Sequence, residues 1–241
     1  MKKIIFLLFI SVVTFAQFKF QRCLPDRYTI WELRHNSIIN NSFVDFSQYQ
    51  HTTLTGGAPS YSTNFVYFGN KSIYFSRTNN DYVYVSNTPD IFDFGSDEFS
   101  FTCIYVNNYT AYFANRIIFY HYNGSINICT VNDETKYCYA VYKSDGSYLV
   151  NRFNQYIIPN NIGKWSIVTI ERYNDTVFCY HNKVLKVKDY VGSGSVRYAS
   201  SNLYLFSYSG YHYPSEAYLA YANVSKKARF KGNEFRIYNR Y

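Results

Sequence analysis

Several residue types are scarce in this chain of 241 residues: it has 5 Pro, 11 Gly, 1 Met, 2 Trp and only 17 % charged residues. Low Gly and Pro exclude collagen-like repeats and flexible or polyproline linkers. No segment carries sustained 3.6-residue apolar periodicity, which argues against a helical bundle. Acidic residues are fewer than basic ones, 16 against 24, giving a formal net charge of +8. The basic residues are nevertheless scattered, and the densest run, Lys226-Lys227-Ala228-Arg229-Phe230-Lys231, is short. A nucleic-acid groove needs a clustered basic stripe, so no nucleic-acid partner is expected. Gly-x-Ser-x-Gly elbows, phosphate loops and metalloprotease helices are missing as well.

What is abundant is aromatic: 29 Tyr and 21 Phe, in a chain that is 47 % hydrophobic. That much hydrophobicity excludes disorder, and Tyr, Phe, Ile, Val and Thr favour strands. Strand signals follow in quick succession at Phe65–Phe68, Ser72–Arg77, Tyr82–Ser86, Phe99–Val106, Ile117–Tyr122, Ser125–Val131 and Tyr137–Tyr142. They resume at Trp165–Arg172, Thr176–His181, Val184–Asp189, Asn202–Tyr208 and Glu234–Tyr238. Turn signals such as Asn174-Asp175, Asp145-Gly146 and Gly192-Ser193-Gly194 separate them at hairpin spacing. The expectation is an all-β chain: a two-sheet antiparallel β-sandwich of jelly-roll type in one domain, residues 17–241.

Residues 1–16 read differently. Lys2 and Lys3 precede an apolar run from Ile4 to Val13, and Thr14-Phe15-Ala16 offers small residues for cleavage, the pattern of a secretory signal peptide. The run is shorter than the roughly 20 residues a membrane-spanning helix needs, and no later stretch reaches that length, so no transmembrane segment is expected. Cleavage after Ala16 leaves 22 basic against 16 acidic residues. The expected location is secreted: extracellular or on a virion surface.

Export sets the meaning of the five cysteines, since oxidising compartments favour disulfides. Cys129 and Cys138 flank the polar turn Asn132-Asp133-Glu134-Thr135. In a hairpin centred between Asp133 and Glu134 they lie opposite each other, at a Cα separation of about 4.5–5.5 Å that a disulfide can bridge. The pairing of Cys23, Cys103 and Cys179 stays open. Asn-x-Ser/Thr sequons at Asn40, Asn70, Asn108, Asn123, Asn174 and Asn223 are glycosylation candidates.

The order of several motifs resembles the concanavalin A-like lectin/glucanase superfamily in its laminin-G-like jelly-roll branch. Ser72-Ile73-Tyr74-Phe75 followed by Asn80-Asp81-Tyr82-Val83-Tyr84-Val85 is similar to that branch's early strand pair. Phe99-Ser100-Phe101-Thr102, Gly163-Lys164-Trp165-Ser166-Ile167-Val168 and Phe235-Arg236-Ile237-Tyr238-Asn239-Arg240 resemble three further strands. Thr176–Lys183 resembles a strand and turn ending in Asn-Gly, but Lys183 stands where Gly is usual. The resemblance spans about residues 30–241. It implies a jelly roll, no organic cofactor, and a calcium ion at most, for which Asp81 and Asp175 are nominal candidates with a plainer reading as turn or strand-end residues.

An enzymatic reading finds little support. Glycosidases need two carboxylates at defined separations, and the run E-x-D-x-x-E or E-x-D-x-E of the superfamily's glucanases begins at none of Glu32, Glu98, Glu134, Glu171, Glu216 or Glu234. Recognition or assembly remains. The sugar-binding candidate is Tyr208-Ser209-Gly210-Tyr211-His212-Tyr213-Pro214, in which Tyr208, Tyr211, His212 and Tyr213 surround a glycine turn. The aromatic excess, larger than one core can hold, points first to partner subunits in a homo-oligomer or surface assembly, and second to glycans. The expectation is therefore a non-enzymatic glycoprotein for adhesion and assembly, with a carbohydrate-binding lectin as the alternative and a glycoside hydrolase behind both.

Overall fold

A computed structural model describes residues 27–86, 91–108, 116–121, 126–130, 137–152, 162–197, 201–207 and 215–233. The signal-peptide segment, Cys23, Asn123, Glu234–Tyr238 and Tyr208–Tyr213 lie outside the described residues.

All regular structure among the described residues is β. The chain forms β1 (Thr29–Arg34), β2 (Ile38–Ile39), β3 (Ser42–Phe43), β4 (Thr53–Gly56), β5 (Ser60–Ser62) and β6 (Ser72–Phe75). It continues with β7 (Tyr82–Val85), β8 (Phe99–Asn107), β9 (Arg116–His121), β10 (Ile126–Thr130), β11 (Tyr137–Tyr142) and β12 (Tyr148–Asn151). Last come β13 (Trp165–Tyr173), β14 (Thr176–His181), β15 (Val184–Tyr190), β16 (Leu203–Leu205) and β17 (Ala217–Ser225).

Two antiparallel sheets face each other. The first has the order β15-β14-β13-β8-β17-β6-β5, with β1 pairing beside β17; the second has the order β12-β11-β10-β9-β16-β7-β4. Period-2 alternation sends one set of side chains inward from each. Phe99, Phe101, Cys103 and Tyr105 of β8 meet Ile118 and Phe119 of β9 in one core. Rings lock across the gap: Phe101 to Phe119 at 5.6 Å, and Phe75 to Phe206 at 4.7 Å. The Trp31 indole N–H donates across the sandwich to Thr53 Oγ1 at 3.1 Å, satisfying a buried donor that would otherwise be stranded.

Two loops cover the outer face of the first sheet. Phe65–Phe68, expected as a strand, is instead a loop over that face. Its Phe65 ring packs on Tyr218 at 4.7 Å and Tyr67 on Trp165 at 5.2 Å, so its aromatic residues serve lateral packing and no ladder. The other cover is residues 226–233, held by Glu171. This fully buried side chain accepts from the Arg229, Phe230 and Lys231 amides and from the Tyr180 hydroxyl. That double cover is why β13 is buried along nearly its whole length.

Ser72–Phe75 and Tyr82–Val85 are both strands, but they belong to different sheets. The Asn182-Lys183 turn joins β14 to β15, and both residues have positive φ, 48° and 74°. This is the hairpin geometry that glycine ordinarily relieves; the chain adopts it with lysine in place.

Candidate interaction face

One row crosses the second sheet on the side away from the core, half-buried at its tyrosines and fully buried at Ala140. Cross-strand register places Leu54 opposite Tyr84, Tyr84 opposite Tyr204, Tyr204 opposite Tyr120 and Tyr120 opposite Asn127. Asn127 is in turn opposite Ala140, and Ala140 opposite Asn151. The row crosses all seven strands and contains no charged residue.

Its outward direction follows from its neighbours. Val83 and Val85, Leu203 and Leu205, Ile126 and Ile128, and Tyr139 and Val141 all point into the core, so the residues between them point out. Tyr84 and Tyr204 stack at 5.4 Å with an interplanar angle of 27°. Tyr82 lies 5.9 Å from each of them. Its ring sits over Gly56, where an added Cβ would stand 2.0 Å from Tyr82 Cε1. At the far end Tyr142 and Tyr148 pair at 5.0 Å. Burial and its Tyr148 neighbour push the Tyr142 phenol well above the usual tyrosine range, with Tyr120 and Cys129 adding to the effect. Six tyrosines thus share the face, ending in Leu54 at 44 % exposure and Tyr148 at 47 %.

A glycine lies under the ring at the β4 end, and a polar anchor holds the central Tyr204. A Cβ at Gly56 would have to displace the Tyr82 ring, while Asn202 Nδ2 donates to the Tyr204 hydroxyl at 3.3 Å. A concavity lies at the β5 edge: about 390 Å³, lined by Tyr61, Ser62, Thr63, Asn70 and Lys71. There the Lys71 ammonium sits 3.4 Å from the Tyr61 ring centroid, so that ring face is already taken.

The residues singled out from the sequence fare unevenly. Tyr208, Tyr211, His212 and Tyr213 lie outside the described residues. Their flanks are firmly held: the Ser215 amide donates to the Phe206 carbonyl at 2.9 Å, and the Ser215 hydroxyl donates to the Ile117 carbonyl. Among the sequons, Asn40, Asn70, Asn108 and Asn174 are exposed. Asn223 is not: it is 4 % exposed on β17, with its Nδ2 3.4 Å from Thr29 Oγ1. A glycan cannot be attached to that side chain in the folded protein, so Asn223 is withdrawn.

Cys129 and Cys138 pair across β10 and β11 as expected. Both are buried free thiols with their sulfurs 2.7 Å apart, beyond the roughly 2.05 Å of a disulfide, so the covalent bond is not formed here. Cys103 and Cys179 are core thiols, and burial raises the pKa of both.

Asp81 turns out not to face solvent. It is 1 % exposed, and its carboxylate accepts from the Ala58 amide at 2.7 Å and the Ser76 amide at 2.8 Å. Asp45 is used likewise, by the amides of Glu32, Ser47 and His51 and by the Ser47 hydroxyl. Both carboxylates are occupied in tying loops to strands. Among the described residues no group of three or more His, Cys, Asp or Glu side chains is arranged to hold a metal ion.

The sequence reading missed the tyrosine row, although half of its signal was present. Tyr82-Val83-Tyr84-Val85 and Leu203-Tyr204-Leu205 assign each tyrosine to the face opposite the aliphatics. Joining them into a row needed the strand order, which alternation alone does not contain.

The fold has known counterparts. The sequence matches no described protein family and no curated protein. Among solved structures, the chain is similar to the binding domain of Paraclostridial Mosquitocidal Protein 1, at 13 % identity and a TM-score of 0.62, over 85 % of this chain and 50 % of that one. It is also similar to the receptor binding domain of botulinum neurotoxin mosaic serotype C/D, at 15 % identity and a TM-score of 0.56, over 87 % and 48 %. A third is the binding domain of botulinum neurotoxin DC in complex with SialylT, at 15 % identity and a TM-score of 0.61, over 84 % and 49 %. The chain spans about half the length of these solved chains. At such identities the likeness is one of fold: a β-sandwich shared with binding domains.

Proposed function

We propose that this protein is a non-enzymatic recognition module acting outside the cell or on a virion surface, and that it assembles with protein partners through its tyrosine face. The carrying observation is the outer side of the second sheet, where an uncharged row holding Tyr84, Tyr204 and Tyr120 is joined by Tyr82, Tyr142 and Tyr148. In a chain of formal charge +8, a row without charge is where another protein meets the least repulsion. Tyrosine suits such a contact, since its ring buries apolar area while its hydroxyl keeps a polar partner. The solved structures of similar fold are binding domains, and one of them is described in complex with rat synaptotagmin II.

A second reading is carbohydrate binding in a laminin-G-like lectin. Stacked rings such as Tyr84 and Tyr204 also suit sugar faces, and one structure of similar fold holds SialylT. Sedimentation of the wild type and of Tyr84→Ser/Tyr204→Ser over rising concentration, with a glycan array beside it, separates the two. Assembly predicts self-association of the wild type that the double variant loses. A wild type that stays monomeric at high concentration while binding glycans through these rings would replace the assembly reading with the lectin one.

A further inference from the structure

A second surface, on the opposite side of the sandwich, carries charge instead of rings. Residues 226–233 lie against β1, β13 and β14, and two of their lysines, Lys227 and Lys231, are seated on aromatic rings. Lys227 Nζ lies 4.4 Å from the Tyr28 ring centroid, and Arg27 Cζ lies 4.8 Å from the same centroid. Lys231 Nζ stands 4.9 Å from the Tyr173 ring. Lys188 Nζ stands 5.9 Å from the Phe178 ring, against which Gly232 packs. Lys226 is exposed, its amide donating to the Tyr28 carbonyl at 2.9 Å. These contacts join Arg27, Lys188, Lys226, Lys227 and Lys231 into one strip.

Two carboxylates under the 226–233 loop are used within the fold. Glu171 receives the loop amides, and Glu98 accepts from the Ala228 amide at 3.1 Å. Among the described residues none of the five cations makes an ion pair. Ring contacts hold the heads of Arg27, Lys188, Lys227 and Lys231 in place, which lowers the ordering cost of capturing an anion.

We propose that this strip receives an acidic segment of a protein partner. The proposal rests on the protein-partner reading above and names the chemistry of a second contact. A second copy of this chain is disfavoured, because it would bring the same cations. Among the described residues Tyr49 and Tyr190 are exposed beside the strip, so a bilayer surface is left to the vesicle arm of the test below. Sugar stacking is disfavoured because cations already sit over the rings of Tyr28 and Tyr173. What the strip displays is point charges.

The test uses the full chain and poly-L-glutamate as the probe, with heparin and phosphatidylserine vesicles in parallel. Lys227→Gln/Lys231→Gln is compared with Lys143→Gln/Lys164→Gln, which removes equal charge elsewhere. At low salt the strip variant should bind poly-L-glutamate about 20-fold more weakly than wild type, the control less than about threefold. Equal weakening of both variants overturns the strip as a site. So does strip-dependent binding to heparin or vesicles without strip-dependent binding to poly-L-glutamate. Tyr84→Ser/Tyr204→Ser should leave poly-L-glutamate binding unchanged, so failure of the tyrosine-face reading and failure of the strip register separately.

Discussion

Replacing Glu171 with Gln isolates what holds the loop that carries the basic strip. Glu171 Oε1 accepts from the Tyr180 hydroxyl at 3.1 Å and the Lys231 amide at 2.7 Å, while Oε2 accepts from the Arg229 amide at 2.7 Å and the Phe230 amide at 3.0 Å. Glutamine keeps the shape but turns one oxygen into an N–H donor facing two donors. Two hydrogen bonds to a charged acceptor are lost, each contributing about 1.5–3 kcal/mol. The donors left behind are buried, so about 3 kcal/mol is the smaller end of the expected cost. Because residues 226–233 are a covering loop, most of that cost should appear as local opening and not as global unfolding. Native-state hydrogen exchange reads this directly. Amides of Arg229, Phe230 and Lys231 should exchange at least about 100-fold faster in the variant, while those of β8 change far less. Unchanged exchange at 229–231 in a folded variant would refute the assignment of Glu171 as the clamp. Equal acceleration at β8 would show that the carboxylate stabilises the sheet, not the loop.

Other outcomes follow from single positions. Lys183→Gly removes a left-handed non-glycine residue from the β14–β15 turn and should stabilise the protein by about 0.5–1 kcal/mol in urea unfolding, after allowing for glycine's unfolded-state entropy. Gly56→Ala should displace Tyr82 and weaken assembly with little loss of fold. Gly57→Ala, by contrast, combines φ of +68° with a Cβ 2.1 Å from Asp81 Oδ1 and should cost several times more in thermal stability. Under oxidising conditions Cys129 and Cys138 should join, detected as a linked peptide in non-reducing mass spectrometry. The chain-entropy account of that ten-residue loop gives about 2.7 kcal/mol of stabilisation, and Cys138→Ala should abolish the gain. Burial, with Lys186 adding to it, lowers the His181 pKa to about 4 from 6.5. The unfolded chain therefore takes up the proton first, and stability should fall as pH drops from 6.5 towards 4, by about 1–3 kcal/mol. His181→Asn should flatten that slope in pH-dependent unfolding.

Much of the fold was legible wherever β-branched and aromatic residues alternate. Tyr137–Tyr142 and Thr176–His181 match their strands end to end, and the Cys129–Cys138 register followed from the turn between them. What escaped notice was β17, which lies between β8 and the β6/β1 edge of the first sheet. Ala217-Tyr218-Leu219-Ala220-Tyr221-Ala222 is rich in alanine, a poor strand former, and both of its faces are covered, so no polar alternation marks it. β1 was hidden for a related reason, since Thr29, Glu32 and the apolar residues between them are all buried. Burial of polar residues breaks the rule that pattern reading relies on. Here partners within the fold explain it: Glu32 binds Arg34, and Thr29 receives Arg229.

The same limit applies to the site, and it bears on where the aromatic excess goes. A core of two facing sheets takes the phenylalanines: Phe75, Phe94, Phe99, Phe101, Phe119 and Phe206 all belong to it. Of the six face tyrosines, none is in that core cluster. The hydroxyl makes this division, because a buried phenol must find a partner whereas one at the surface has water. Buried tyrosines confirm the cost of the alternative: Tyr139 reaches Asp189 at 2.6 Å, and Tyr180 reaches Glu171. A chain under pressure only to fill its core would therefore favour phenylalanine, which needs no such partners. Tyrosines at alternate positions on adjacent strands, stacked on one another and free of charge, add little to folding that threonine or valine would not. Replacing Tyr84 and Tyr204 with threonine tests this directly. Stability should change by less than about 1 kcal/mol on a half-exposed face, while partner binding collapses. A large loss of stability with binding retained would make the row a structural device and not an interface.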